Sequence, residues 1–206
     1  MEVIEAIALM LGAAWASGIN LYATILVLGW MSGAGHIELP PDLQVIQNPA
    51  VLLAAGAMYL VEFFADKIPG LDTSWDAIHT FIRIPVGALL AAGAVNGVVD
   101  YQATELVAMI LGGSVTAASH TTKASARALI NTSPEPFSNW AASISEDVAV
   151  IGGLWAGLQH PWWFLAALIA FLALVIWLLP KLWRTLRRLF RKIGSWFSGS
   201  GKTTAP

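Results

Sequence analysis

The run PWWFLAALIAFLALVIWLLP, residues 161–180, carries no charged side chain. At about 1.5 Å per residue a helix of that length spans about 30 Å, the thickness of a bilayer's hydrocarbon core. It has no polar face to turn toward water, so the chain is predicted to be a membrane protein. Composition agrees, with 57% hydrophobic and 12% charged residues. The chain opens Met-Glu-Val-Ile-Glu. A cleavable signal carries positive charge there, so the first apolar segment is expected to stay as a span. With no cysteine, disulfides and thiolate metal sites are excluded.

The hydrophobic pattern predicts an all-α, polytopic helical bundle of about six transmembrane helices, over about 3–31, 49–67, 77–97, 103–131, 137–158 and 161–180. The first and fourth exceed the roughly 20 residues a span needs. Each holds a small-residue patch, near Gly12–Gly18 and Gly112–Ser119, where a tilt, kink or break is expected. The bundle occupies residues 1–180. A tail, 181–206, follows.

The loops at 32–48, 98–102 and 159–160 contain no Lys or Arg. Lys67, Lys123, Arg127 and the tail lie toward the other end. The positive-inside rule then puts both termini in the cytoplasm. Trp30, Trp162 and Trp163 mark the outer interface, and Trp75, Trp140, Trp177 and Trp183 the inner one. Leu11-Gly12 recurs as Leu111-Gly112, and Pro49 precedes Glu62 much as Pro134 precedes Glu146. Together they suggest two inverted three-helix repeats, 1–100 and 101–180, an arrangement frequent in transporters. The competing account is that small residues recur wherever helices pack closely.

In the tail, Leu182, Trp183, Leu186, Leu189, Phe190 and Ile193 share one helical face. Lys181, Arg184, Arg187, Arg188, Arg191 and Lys192 take the rest. This predicts a basic amphipathic helix on anionic lipid. A topology anchor without a partner has the same signature. The closing GSGKTT lacks the first glycine and the following helix of a phosphate loop.

Among the ionisable residues inside the predicted spans, nine stand out: Glu62, Asp66, His79, Arg83, His120, Lys123, Arg127, Glu146 and Asp147. A charge in hydrocarbon costs a few kcal/mol or more unless paired or wetted, which marks such residues as functional candidates. Glu62 and Asp66 share a face. Asp76, His79 and Arg83 repeat at three-then-four spacing, as do His120, Lys123 and Arg127, with Asn131 extending that stripe. Ser143 lies one turn before Asp147. Glu146 and Asp147 are placed near the middle of the fifth span, and nearly everything polar in the cytoplasmic half. The expected pairs are Arg83 or Arg127 with Glu146 or Asp147, and Lys123 or His79 with Glu62 or Asp66. The histidines are candidates for proton movement. Asn20, Tyr22 and Thr24 are placed in the outer half, away from this cluster.

A metal centre would draw on Glu62, Asp66, His79, His120, Glu146 and Asp147. Three fixed cations oppose it and no HExxH is present, so no metal and no cofactor are expected. Neither Ser119 beside His120 nor Ser143 near the acids makes a nucleophile motif, which leaves an enzyme with the weakest footing.

VEFFADKIPGLDTSWDAIHTFIRIPVGALLA (61–91), ASHTTKASAR (118–127) and EPFSNWAASISED (135–147) resemble an uncharacterised family of bacterial integral membrane proteins, the domain-of-unknown-function family numbered 4126. The resemblance spans residues 1 to about 180. It implies a multispan inner-membrane protein and brings no activity. Resembling members tend to carry Asn-Pro where this chain has Glu135-Pro136, which weakens any role for a side-chain amide there.

Two functions follow as expectations. One is a small transporter or permeation protein for a polar or anionic solute, working through a cytoplasm-facing charged cluster. The other is a non-transporting scaffold or lipid-interacting protein whose ion pairs are structural. Lipid is the expected partner, no nucleic acid is, and a homodimer would enlarge a bundle this small.

Overall fold

The computed structural model describes residues 2–98, 103–132 and 135–198. Side chains at 182, 183 and from 185 onward, and residues 199–206, lie outside the described residues. The apolar and basic faces expected for the tail therefore fall outside them. Six α-helices follow in order: α1 Val3–Gly33, α2 Pro49–Ala65, α3 Leu71–Val95, α4 Thr104–Ile130, α5 Pro136–Gln159 and α6 Pro161–Ser198. A 3-10 segment, Pro41–Gln47, precedes α2. No strand occurs among the described residues. The chain is an all-α bundle, as expected.

Local chemistry sets the helix starts. Asn48 accepts the Ala50 N–H at 2.9 Å ahead of Pro49, an N-cap followed by a proline that has no N–H to satisfy. Asp72 accepts from the backbone N–H of Gly70 at 2.9 Å and of Thr73 at 2.6 Å, closing the first turn of α3. Glu135 caps α5 through the Phe137 N–H at 3.2 Å, so the departure from Asn-Pro leaves a cap in place. Pro180 does not end α6, which runs through it.

α1 is not one rod. Asn20 has extended backbone, φ −147° and ψ 99°, between two helical arms. The first arm runs in the same sense as α4, with Ala14 opposite Thr116 and Gly18 against Ser119. It runs opposite to α5, with Gly12 near Leu154 and Asn20 bonded to Asp147. The second arm returns along α2. Leu26 faces Gly56, Gly29 meets Leu52, and Ser32 accepts from Gln47 at 2.9 Å. Glu5 and Leu9 therefore line the same recess as His36–Leu39 and Gly157–Gln159. A straight 31-residue helix would separate its ends by about 46 Å. α1 is a helical hairpin whose tip is Asn20.

This changes the expected topology. The start of α1, residues 34–48, the end of α3 and the α5–α6 junction gather at one end of the bundle. The α2–α3 connection and the lower part of α6 lie at the other. The start of α1 lies with residues 36–39 and 157–159 at the first of these ends. The Leu11-Gly12 and Leu111-Gly112 pair sits on helices that run in parallel, so it does not relate inverted halves.

The bundle is inside-out. Arg83, Arg127 and Glu62 are 0% exposed, while Phe81, Phe137 and Trp163 are 83%, 80% and 79% exposed. On α5 the exposed stripe is Phe137, Trp140, Ile144, Val148, Ile151 and Trp155, all apolar at three-to-four spacing. Water-soluble proteins show the reverse. Among the described residues, three helices are long and apolar enough to cross a membrane: α1 when its two arms are counted as one, α3 and the stretch Pro161–Leu178 of α6. They become four if Pro41–Gln47 and Pro49–Ala65, bent by 66°, count as one span. α4 and α5 are long enough, at 27 and 24 residues, but carry the buried polar residues that lower their mean hydropathy.

Above the charged half, α1, α3 and α4 meet along a seam of small residues. A Cβ on Gly112 would collide with Ala91, one on Gly87 with Thr116, and one on Gly18 with Ser119 Oγ and the Thr116 carbonyl. Such close approach is how helices associate where lipid removes the hydrophobic drive.

Candidate functional site

Lys123 stands at the centre of the polar residues. Its ammonium donates to Asp66 Oδ2 at 3.0 Å, to Glu62 Oε1 at 3.2 Å and to the Ile19 carbonyl at 3.1 Å. Asp76 Oδ1 and Glu146 Oε2 follow at 3.6 and 3.5 Å. Three donors meet three acceptors, with two further carboxylates in Coulomb range.

Two guanidinium groups flank it. Arg83 donates to Glu62 Oε1 at 2.6 Å and Asp76 Oδ1 at 3.2 Å. Arg127 grips Glu146 with both arms, Nε at 3.0 Å and Nη2 at 2.7 Å, the planar fork that makes Arg–carboxylate pairs strong. It also donates to Asp66 Oδ2 at 3.3 Å and to the carbonyls of Asp66 and Asn139 at 2.9 and 3.1 Å. α2, α3, α4 and α5 are thus joined by one ionic network.

The tip of α1 enters this network. Where helical pairing stops, the carbonyls of Gly18 and Ile19 accept from Arg83 at 3.4 and 3.2 Å. These cations sit at the negative end of the first arm. Asn20 then starts the second arm, its Oδ1 accepting the Ala23 N–H at 3.0 Å, and its Nδ2 donates to Asp147 Oδ1 at 3.1 Å. Irregular backbone is tolerated at membrane depth where it meets such partners.

Two histidines flank the centre. Arg83 Nη1, which can only donate, faces His120 Nδ1 at 3.3 Å. The ring therefore carries its proton on Nε2 and donates to Thr80 Oγ1 at 2.7 Å. A second proton would aim an N–H at a guanidinium, so His120 is unsuited to the proton movement expected of it. His79 stacks on Trp75 with ring centroids 4.1 Å apart. Its Nδ1 donates to the Trp75 carbonyl at 2.9 Å, and Tyr22 donates to Nε2 at 3.1 Å.

At the inner end Asn131 donates to both Asp72 oxygens, at 2.8 and 2.9 Å, and accepts from Asn139 at 2.8 Å. Ser143 accepts from Lys67 Nζ at 3.3 Å. That ammonium also lies 2.9 Å from the Phe63 ring centroid, and desolvation lowers the Lys67 pKa. Asp147 stands apart, taking only Asn20 and the Tyr59 hydroxyl, the latter at 3.0 Å.

All nine predicted residues therefore lie around one region, though not in the expected pairs. Lys123 with Glu62 and Asp66, and Arg127 with Glu146, are as read. Arg83 turns instead to Glu62 and Asp76. His79 and Asp147 form no ion pair among the described residues. Asp76 is a full member of the centre. Asn20 and Tyr22 are brought into it, contrary to their expected outer placement, because α1 folds back. Tyr59, Asp72 and Asn139 were not singled out, and no spacing rule marks them. Among the described residues, no group of three or more His, Asp or Glu is placed to hold a metal ion.

The centre is buried. Glu62 Oε2, Asp66 Oδ1 and Asp76 Oδ2 are buried without a hydrogen-bond donor, as is Arg83 Nε without an acceptor. A groove of about 240 Å³ reaches it between α4, α5 and α6, lined by Ser119, Lys123, Glu146 and Phe171 among others.

A bundle with apolar outer faces and a buried ionic centre defines a helical membrane protein with polar machinery inside. Residues 7–181 match the family described as Domain of unknown function (DUF4126), and the chain belongs to that family. No curated protein and no solved structure matches it.

Proposed function

We propose that the protein is a small transport or permeation protein of a cell membrane, with the ionic centre at the tip of the α1 hairpin as its solute site. One observation carries this reading. A helix breaks inside the bundle, and its freed carbonyls and Asn20 join buried charges beside a groove. Broken helices that aim their ends at a midplane site are how many transporters bind ions and solutes. α2 to α6 would cross and α1 would be re-entrant, which revises six crossings to five plus a hairpin. By the positive-inside rule the end with Lys67, Arg127 and Lys181 faces the cytoplasm. The start of α1 then faces the other side.

The charge balance turns the solute class away from anions. Arg83, Lys123 and Arg127 are already paired with Glu62, Asp66, Asp76 and Glu146, and of the buried centre atoms without a partner three are acceptors and one, Arg83 Nε, is a donor. That balance favours a cation or a hydrogen-bond donor over an anion.

A second reading, the structural scaffold, is favoured by the mutual pairing of every cation in the centre. Currents from proteoliposomes on a supported electrode separate the two. Jumps in sodium, potassium, ammonium or pH should give transients that Lys123→Met abolishes. Traces identical to empty liposomes for every jump, together with a lower melting temperature for Lys123→Met, would establish the scaffold.

A further inference from the structure

Asp147 meets only two donors, both neutral, Asn20 Nδ2 at 3.1 Å and Tyr59 Oη at 3.0 Å, whereas Asp72, also without a cation, is held by the Gly70 and Thr73 N–H groups, the Thr73 hydroxyl and Asn131. Glu146, next to Asp147, lies in the opposite situation, gripped by Arg127. An ionised carboxylate within a bilayer bundle is costly without a cation. The surroundings of Asp147 offer none at ion-pair distance. From α1 it faces the Asn20 amide, and from α2 the Tyr59 hydroxyl. Lys67 is engaged by Ser143 and the Phe63 carbonyl. Lys123 and Asp66 act on Asp147 only through space. Between Pro161 and Leu178, α6 carries no charge.

We propose that Asp147 is a proton-binding site and that Tyr59 is its switch. The argument is one of hydrogen-bond direction. Asn20 cannot turn its amide, because its oxygen caps the second arm of α1 through the Ala23 N–H. Asp147 Oδ1 therefore always faces a donor. A proton arriving from water binds Oδ2, the new O–H donates to Tyr59 Oη, and the tyrosine rotates its own hydrogen away. No other bond is made or broken. Tyr59 and Phe63 on α2 and Lys67 just beyond it follow at four-residue spacing, and Asp147 and Ser143 are four apart on α5. This forms a ladder from the inner end to the site. Neutralising Asp147 weakens its bond to Asn20, so loading is coupled to the tip of the hairpin.

For transport, this inference rests on the reading above and makes the proton its coupling ion. The proton site itself needs no transport to be seen. Infrared difference spectra of the full chain in detergent, titrated from alkaline to acidic pH, should show a carboxylic-acid C=O band that Asp147→Asn removes and the surface control Glu105→Gln keeps. Tyr59→Phe removes a donor to the charged form, so the band's midpoint should move up by about one pH unit. Bands unchanged by Asp147→Asn, or a Tyr59→Phe midpoint that stays or falls, would overturn the proposal. Should Asp147→Asn not fold, Tyr59→Phe decides alone. A band without solute currents would remove the transport reading and leave the proton site; currents without the band would do the opposite.

Discussion

Thr116 and Lys123 lie seven residues apart on α4, and they belong to two different interiors. Around Thr116, α1, α3 and α4 touch through Gly18, Gly87, Ala91 and Gly112, with Arg83 at the edge donating to the Gly18 carbonyl. Around Lys123 the same helices stand far enough apart to hold three cations and four carboxylates. The seam gains from packing and from the short backbone approach that glycine permits. The centre gains from neutralisation, and it has a groove beside it. A volume change should therefore damage the seam, and a charge change the centre.

The largest effect is expected at Arg83. Replacing it with Met leaves Glu62 and Asp76 buried with one cation fewer. Breaking a buried pair by removing one partner costs about 3–5 kcal/mol. Thermal unfolding in mild detergent should show a large fall in melting temperature. The double variant Arg83→Met with Glu62→Met removes both partners and should recover part of the loss. A single variant as stable as the parent would mean the centre contributes no neutralisation energy.

Gly112→Val tests the seam. It places a branched side chain where even a Cβ meets Ala91, and overpacking of this kind costs about 1–3 kcal/mol. Gly112→Asp would add a charge cost and is a poorer test. If Gly112→Val were more damaging than Arg83→Met, the order of the two interiors would be reversed. At the inner rim, Asn131→Ala removes donors to Asp72 and an acceptor for Asn139. Asn131 is partly exposed, so water replaces some of what is lost and about 1 kcal/mol is expected.

The centre was legible in the sequence because lipid makes it so. A charge among apolar residues must find company, and helical spacing says which charges share a face. Lys123, Glu62, Asp66, Arg127 and Glu146 could be gathered on that basis. Which oxygen Arg83 chose could not, because Glu62, Asp76 and Glu146 are equivalent acceptors until the helices are placed. The hairpin was missed for another reason. Val3–Gly33 is apolar at most positions, and periodicity does not distinguish one long helix from two that fold back. The signal was Asn20, a residue whose side chain competes for backbone hydrogen bonds, alone in an uncharged stretch. Taking it as a helix start would have brought Tyr22 to His79. The small-residue patch lay beside the bend but marked the seam.

Glu135→Asn gives the smallest effect and bears on neither interior. Glu135 caps α5 through the Phe137 N–H and also accepts from Ser138 Oγ at 2.5 Å. Asparagine is among the best N-caps, so the cap should survive with a change of less than about 0.5 kcal/mol. Glu135→Ala should cost about 1 kcal/mol, since no side chain then meets that N–H. Melting temperatures of the two variants give the comparison directly. If asparagine proved as damaging as alanine, the carboxylate itself would matter here, and a charge outside the centre would have to be counted among those that hold the bundle.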